Sequence, residues 1–364
     1  MQLFKLLAKQ AKRLPMLWLI RGLTAWQPQT RASEGYTIAI ACMHKIPDVL
    51  LANLQMVANA RTPHCKKIHL VFDCTQKEMP SELLQAIKAV SHSATVVVDF
   101  YSDKQTAVAR KINWGWVYAW LSWCIAIGDC ETEHLILHDL DALPLDPTFF
   151  EQLYERAISS KAAFQAIRTY SGNGISPSLK LGTTFELVMK PKVLRERFSP
   201  FDGFNKLRLL DGKLVDFDTF LWIQHQVGDT QVEPINESQL MHPSQLICDF
   251  TDFTSGRSDL THRQHSLIMM PYFSYLGGNQ EFLSNVTSSL RESHGTGAVL
   301  YDRRLDLSHI CPEHWAWMEK QIRQAEQQLL GSTRAEVNLF LESFIRNAGD
   351  RRTVGKPGEG VPAI

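Results

Sequence analysis

His134-Leu-Ile-Leu-His-Asp139-Leu-Asp141-Ala-Leu-Pro-Leu-Asp146 is the stretch on which the reading of this chain turns. Its first part, His134 to His138, has the length and apolar content of a buried strand, and it runs directly into two aspartates separated by one leucine. A tight turn after a strand can aim two such carboxylates at one point, and hard cations such as Mn²⁺ or Mg²⁺ prefer oxygen ligands of this kind. Asp146 can cap a helix that starts at Pro147 and continues through Phe149, Phe150, Leu153 and Ile158. Asp139 and Asp141 are thereby placed beyond the carboxyl end of a central strand, where open α/β sheets bind their ligands.

Upstream of this stretch, strands alternate with helices, the sequence form of a mostly parallel sheet with crossover helices. Thr37–Cys42, Lys67–Asp73 and Ala94–Phe100 read as strands. Helices are expected from Pro47, with Leu50, Leu51, Leu54, Val57 and Ala58 at helical spacing, and over Ser81–Val90. Trp114–Ile127 is apolar almost all round, so it is read as a helix covered on several sides, its four tryptophans belonging to the core. Downstream the pattern is less regular. Strands are expected near 162–167, 182–189 and 231–235 and a helix from Phe217 to Val227; 248–278 reads as a long irregular segment. Two helices, His314–Leu330 and Thr333–Asn347, close the reading, the second with a Thr333/Glu336 capping box.

The 364 residues and 45% hydrophobic composition support a sizeable core. Lysine plus arginine equals aspartate plus glutamate at 38 each, so no global field favours nucleic acid, and a nucleic-acid partner is not expected. Seven scattered cysteines without a C-x-x-C pair read as reduced, mostly buried thiols. Residues 1–26 place Lys5, Lys9, Lys12, Arg13 and Arg21 among Leu, Phe, Ile and Trp. Such a basic amphipathic helix either lies on an anionic membrane surface or packs on the domain. Its longest uncharged run, Leu14–Ile20, is too short to span a bilayer, and the expected location is cytoplasmic, with peripheral membrane contact under the first of these two readings.

Four patches, in order, resemble inverting GT-A glycosyltransferases of the family-2/galactosyltransferase type over roughly residues 37 to 245. Ala109–Gly115 is similar to that family's Asn-x-Gly stretch, and Leu135–Asp146 to its strand, Asp-x-Asp, Pro and Asp. Leu181–Lys190 followed by Phe201–Phe204 resembles the strand before the acceptor loop and its Gly-Phe landmark; Val215–Leu221 resembles the acidic helix start. The resemblance implies an α/β, GT-A (Rossmann-like) fold, a mostly parallel sheet flanked by helices, with C-terminal helices. The implied layout is a basic segment over 1–35, the catalytic domain over 36–305, a helical extension over 306–350 and a disordered tail over 351–364.

It further implies a metal-assisted transfer of sugar from a nucleotide-diphosphate sugar to the hydroxyl of a glycan, lipid-linked or other acceptor. Asp139 and Asp141 would meet Mn²⁺ or Mg²⁺ and the diphosphate, with His242 as a third metal ligand. Asp73 and Asn113 would contact the donor nucleotide. Asp216 would be the general base, with Asp218 its rival, although Lys213-Leu-Val stands where the family carries glycine before the acidic cluster. Two other classes share parts of the pattern. Leu135–Asp146 also resembles the haloacid-dehalogenase phosphatases, which would make Asp139 a nucleophile, but Ala142-Leu143 replaces their Gly-Thr. A catalytically inactive binding module on a GT-A-like fold is the third reading.

Overall fold

The computed structural model describes residues 2–256, 264–308 and 310–351. The tail expected over 351–364 lies, beyond Arg351, outside the described residues. Contacts divide the chain into two compact units, 1–50 with 54–240 and 51–53 with 241–364.

The first unit opens with α1 (Gln2–Ile20), β1 (Ser33–Cys42), α2 (Pro47–Asn59), β2 (Cys65–Phe72), α3 (Ser81–Ala89) and β3 (Thr95–Phe100). Next come α4 (Asp103–Ile112), α5 (Gly115–Gly128), β4 (Thr132–His138), β5 (Leu143–Pro144), α6 (Phe149–Ser160), β6 (Phe164–Ala166), β7 (Leu187–Met189) and α7 (Pro191–Arg197). It closes with β8 (Lys206–Leu210), β9 (Lys213–Phe217), α8 (Leu221–Val227), β10 (Thr230–Val232) and β11 (Leu240–Met241). The seven-stranded sheet has the order β10-β6-β7-β4-β1-β2-β3. β1 runs parallel to β2 and β4, β2 to β3, and β10 to β6, while β7 is antiparallel to both neighbours. This is the mostly parallel, helix-flanked class expected from the sequence.

β1, β2 and β4 are buried nearly end to end, as strands covered on both faces must be. α5 supplies much of that cover: Trp120 and Trp123 are buried, and the Trp120 indole N–H donates to the Pro200 carbonyl at 2.8 Å. α1 docks along the β8–β9 hairpin. Gln10 donates to the Leu207 carbonyl at 3.3 Å, and Arg13 grips both carboxylate oxygens of Asp216 at 2.8 and 2.5 Å. Its other side leaves Phe4, Leu7, Leu14 and Trp18 exposed. Among the described residues no helix is long and apolar enough to cross a membrane.

One segment is added to the sequence reading and two expectations are corrected. The segment between β3 and α5, not assigned from sequence, holds α4, started by a Ser102/Gln105 capping box and ended at Asn113 in the left-handed conformation. The helix expected from Phe217 begins only at Leu221, because Lys213–Phe217 is consumed by a hairpin with Lys206–Leu210. Its turn, Asp211-Gly212, has φ of 48° and 74°, the left-handed pair that Asp-Gly adopts in tight hairpins. The stretch read as irregular over 248–278 is largely helical, with α9 (Leu246–Ser255), α10 (Gln264–Leu267) and α11 (Met270–Leu276). These belong to the second unit with α12 (Gln280–Glu292), the antiparallel pair β12 (Gly297–Leu300) and β13 (Arg303–Asp306), α13 (Pro312–Leu330) and α14 (Ala335–Arg351). In that unit Glu326, fully buried, accepts from Tyr272 and Arg334 at 3.0 and 2.6 Å. All seven cysteines are free thiols, five of them buried.

Candidate functional site

The sheet reverses its order between β1 and β4: β2 and β3 build outward from one side of β1, and β4 pairs on the other. At such a switch point the two strands' following loops part, opening a crevice beyond their carboxyl ends. β4 delivers Asp139 and Asp141 there. β1 delivers His44, and neighbouring β2 delivers Asp73.

Asp139 is half-buried and Asp141 is 5% exposed. The turn between them is tight, the Ala142 N–H donating to the Asp139 carbonyl at 3.1 Å. After it comes β5, and the Leu145 N–H donates to the Gln239 carbonyl at 2.8 Å. Asp139 and Asp141 each offer one ligand atom, and these two atoms lie within 4.8 Å of each other. Two carboxylates at that spacing fit a divalent first-row cation or Mg²⁺. Asp146 braces the arrangement. It accepts from the Thr148 N–H and hydroxyl at 2.8 and 2.7 Å and from Gln239 and Gln152 at 3.2 Å each, so it ties the stretch before β11 to the start of α6. Burial works to raise its pKa, but these hydrogen bonds prevail and hold it below the usual value.

Beneath the aspartates lies a pair that sequence did not reveal. His138, the last residue of β4, has its Nδ1 2.6 Å from Glu186 Oε1, and both side chains are wholly buried. Glu186 reaches it from a left-handed backbone position, φ 52°, just before β7. No local pattern links residues 48 apart; only the sheet pairing of β4 with β7 does.

His44 Nδ1 stands 3.5 Å from Asp73 Oδ1, and with Cys74 these groups form a second cluster within 4.8 Å. Burial, reinforced by the charges of Asp73 and Glu78, pushes the Cys74 thiol up to about 12, so it stays protonated at neutral pH. Beyond β2 and β3 opens a cavity of about 520 Å³ lined by Thr75, Gln76, Tyr101, Ser102 and Gln105 among others. Thr75-x-x-Glu78 and Ser102-x-x-Gln105, both capping boxes, are its sequence signals. Asn113, by contrast, is the exposed residue that ends α4, its N–H donating to Ala109 at 2.7 Å.

Asp216 and Asp218 are in different surroundings from those expected. Asp216 lies inside β9, not at a helix start, and the Arg13 guanidinium occupies both its oxygens. Asp218 follows the strand and accepts from the Asn205 amide at 3.0 Å and the Thr219 N–H at 2.7 Å. Burial raises its pKa, with the nearby Asp216 charge adding to the shift against these hydrogen bonds. A carboxyl so placed is a better proton acceptor than an exposed aspartate.

No family profile and no curated protein matches the chain. Solved structures do. A galactosyltransferase, LgtC, in complex with donor and acceptor sugar analogs, is similar with a TM-score of 0.39 and 10% identity, over 55% of this chain and 73% of that one. S. aureus TarS is similar with a TM-score of 0.38 and 12% identity, over 88% of this chain and 54% of that one. The chain thus spans about half the length of TarS. At these identities the likeness is partial and concerns the fold.

Proposed function

We propose that the chain is a glycosyltransferase that moves a sugar from a nucleotide-diphosphate donor to an acceptor hydroxyl, with a divalent cation at Asp139 and Asp141. The observation that carries this reading is the convergence of the Asp139 and Asp141 carboxylates beyond the carboxyl end of β4, beside the switch point of the sheet. A cation held there would neutralise charge developing on a departing diphosphate. Asp141, the more buried carboxylate, fixes the geometry, and the His138–Glu186 pair holds the turn from below. Asp73 and His44, at the ends of β2 and β1, lie where a ribose or base would meet the sheet edge. Asp218 is the better candidate for the base that takes the acceptor hydroxyl proton as its oxygen attacks the anomeric carbon. Asp216, held by Arg13, serves to position the hairpin. Attack opposite the leaving group would invert the anomeric centre.

The test is thermal unfolding with Mn²⁺ and UDP or GDP. Either nucleotide with metal should raise the midpoint, and a hundredfold excess over Kd corresponds to about 2.7 kcal/mol. Failure of both nucleotides to protect in the presence of metal would reject the reading.

Peripheral membrane contact through α1 is the second part of the proposal. Phe4, Leu7, Leu14 and Trp18 share one helical face and are exposed, with Lys9 and Lys12 exposed beside them, while Gln10 and Arg13 bind the domain. That is the pattern of an interfacial helix on an anionic bilayer. Co-sedimentation with phosphatidylserine vesicles should fall sharply in Trp18→Ser/Leu14→Ser; unchanged sedimentation would count against it.

A further inference from the structure

The strand that carries Asp139 beyond its carboxyl end carries a second, unrelated feature near its amino end. His134 is 3% exposed, and among the described residues neither of its ring nitrogens has a hydrogen-bond partner. The imidazole lines a cavity of about 530 Å³, a volume in the range of small-molecule sites. Around it the same cavity presents Arg31, Lys161, Lys190 and Lys192 against a single carboxylate, Glu133. Among the described residues Arg31 and Lys161 form no ion pair through their side chains. Lys190 donates only to the Lys161 carbonyl at 2.5 Å, and Lys192 makes a loose, exposed contact of 3.8 Å with Glu196. Ile158 and Val193 add an apolar wall.

Four cations gathered on one concavity repel one another, and a buried imidazole with both nitrogens unmet is unfavourable. A multiply charged anion with oxygen acceptors relieves both at once. We propose that this cavity at the amino end of β4 binds a phosphorylated small molecule, its phosphoryl group held by Arg31, Lys161, Lys190 and Lys192, with His134 donating from the floor and the carbon skeleton against Ile158 and Val193. It is a separate site from the candidate donor crevice. His134 and Asp139 are five residues apart in an extended segment, which places them roughly 16 Å from each other.

The imidazole gives a direct readout. Burial, with the Lys190 charge adding to it, pulls its pKa down to about 4. A phosphoryl dianion at hydrogen-bond distance favours the protonated ring and opposes both causes. The experiment uses the full chain without divalent metal, titrated with glycerol 3-phosphate and, as control, glycerol. Glycerol 3-phosphate should bind and glycerol should not. The Nδ1 and Nε2 resonances of His134 should titrate at higher pH in the bound state. Lys161→Gln should weaken binding about tenfold, and Arg31→Gln/Lys161→Gln further; both positions are exposed, so the fold is kept. Asp141→Ala should leave this binding unchanged. Absence of binding, indifference to the two cations, an unmoved His134 titration, or equal loss in Asp141→Ala would each overturn the proposal.

Discussion

β4 carries a histidine near each end, and the two are treated differently by the fold. His138, at the carboxyl end, is wholly buried against Glu186 and supports the turn that presents Asp139 and Asp141. His134, at the amino end, is almost equally buried but has no hydrogen-bond partner among the described residues and faces a cavity lined by lysine and arginine. The same residue type is in one place a completed hydrogen bond that positions chemistry and in the other an unmet one that invites a ligand. Burial alone does not tell these apart; the partner does.

The comparison can be broken most forcefully at the carboxyl end. Asp141→Ala should abolish metal-dependent nucleotide binding, read by calorimetry with Mn²⁺, while leaving the amino-end cavity unaffected. Retention of that binding would remove Asp141 from the site. A smaller effect is expected one layer below. Glu186→Ala leaves His138 buried without its partner and should lower stability by about 2–4 kcal/mol in urea unfolding, whereas Glu186→Gln keeps a hydrogen bond and should cost less. Equal stability of wild type and Glu186→Ala would show that the pair is not structural.

The amino end provides the most conditional test. Because burial holds His134 near 4 in the folded chain, and an unfolded histidine titrates at roughly 6.5, the unfolded state takes up a proton that the folded state refuses. Its contribution is therefore fully present above about pH 6.5 and is lost progressively as pH falls toward 4, reaching about 3 kcal/mol. His134→Gln should flatten that part of the stability profile. An unchanged profile would mean that His134 is protonated in the folded protein at acid pH.

The first half of the fold was legible because strands buried on both faces appear as short apolar runs, as in Leu70–Phe72 and Leu135–Leu137, and helices between them keep a 3.6-residue period. That pattern places Asp139, Asp141 and Asp73 at the sheet's carboxyl edge. The β8–β9 hairpin was legible in principle, since Asp211-Gly212 is a strong turn signal, but the acidic residues after it drew the reading toward a helix start. α9 to α11 were missed because polar and aromatic residues mix there without a clear period. The His138–Glu186 and Arg13–Asp216 pairs join residues 48 and 203 apart, and no local pattern encodes such meetings.

The hairpin also limits how this protein can be altered. Along β9, Val215 and Phe217 are buried in an apolar cluster with Ile175 and Leu221, while Asp216 between them turns to Arg13. A residue inserted after Gly212 that shifted the pairing by one position would exchange those faces. The carboxylate would enter the oily side and a valine would meet the guanidinium. Loop grafting at 211–212 must therefore retain the strand's phase, and a library that varies loop length by single residues there would lose the N-terminal helix's anchorage in every second member.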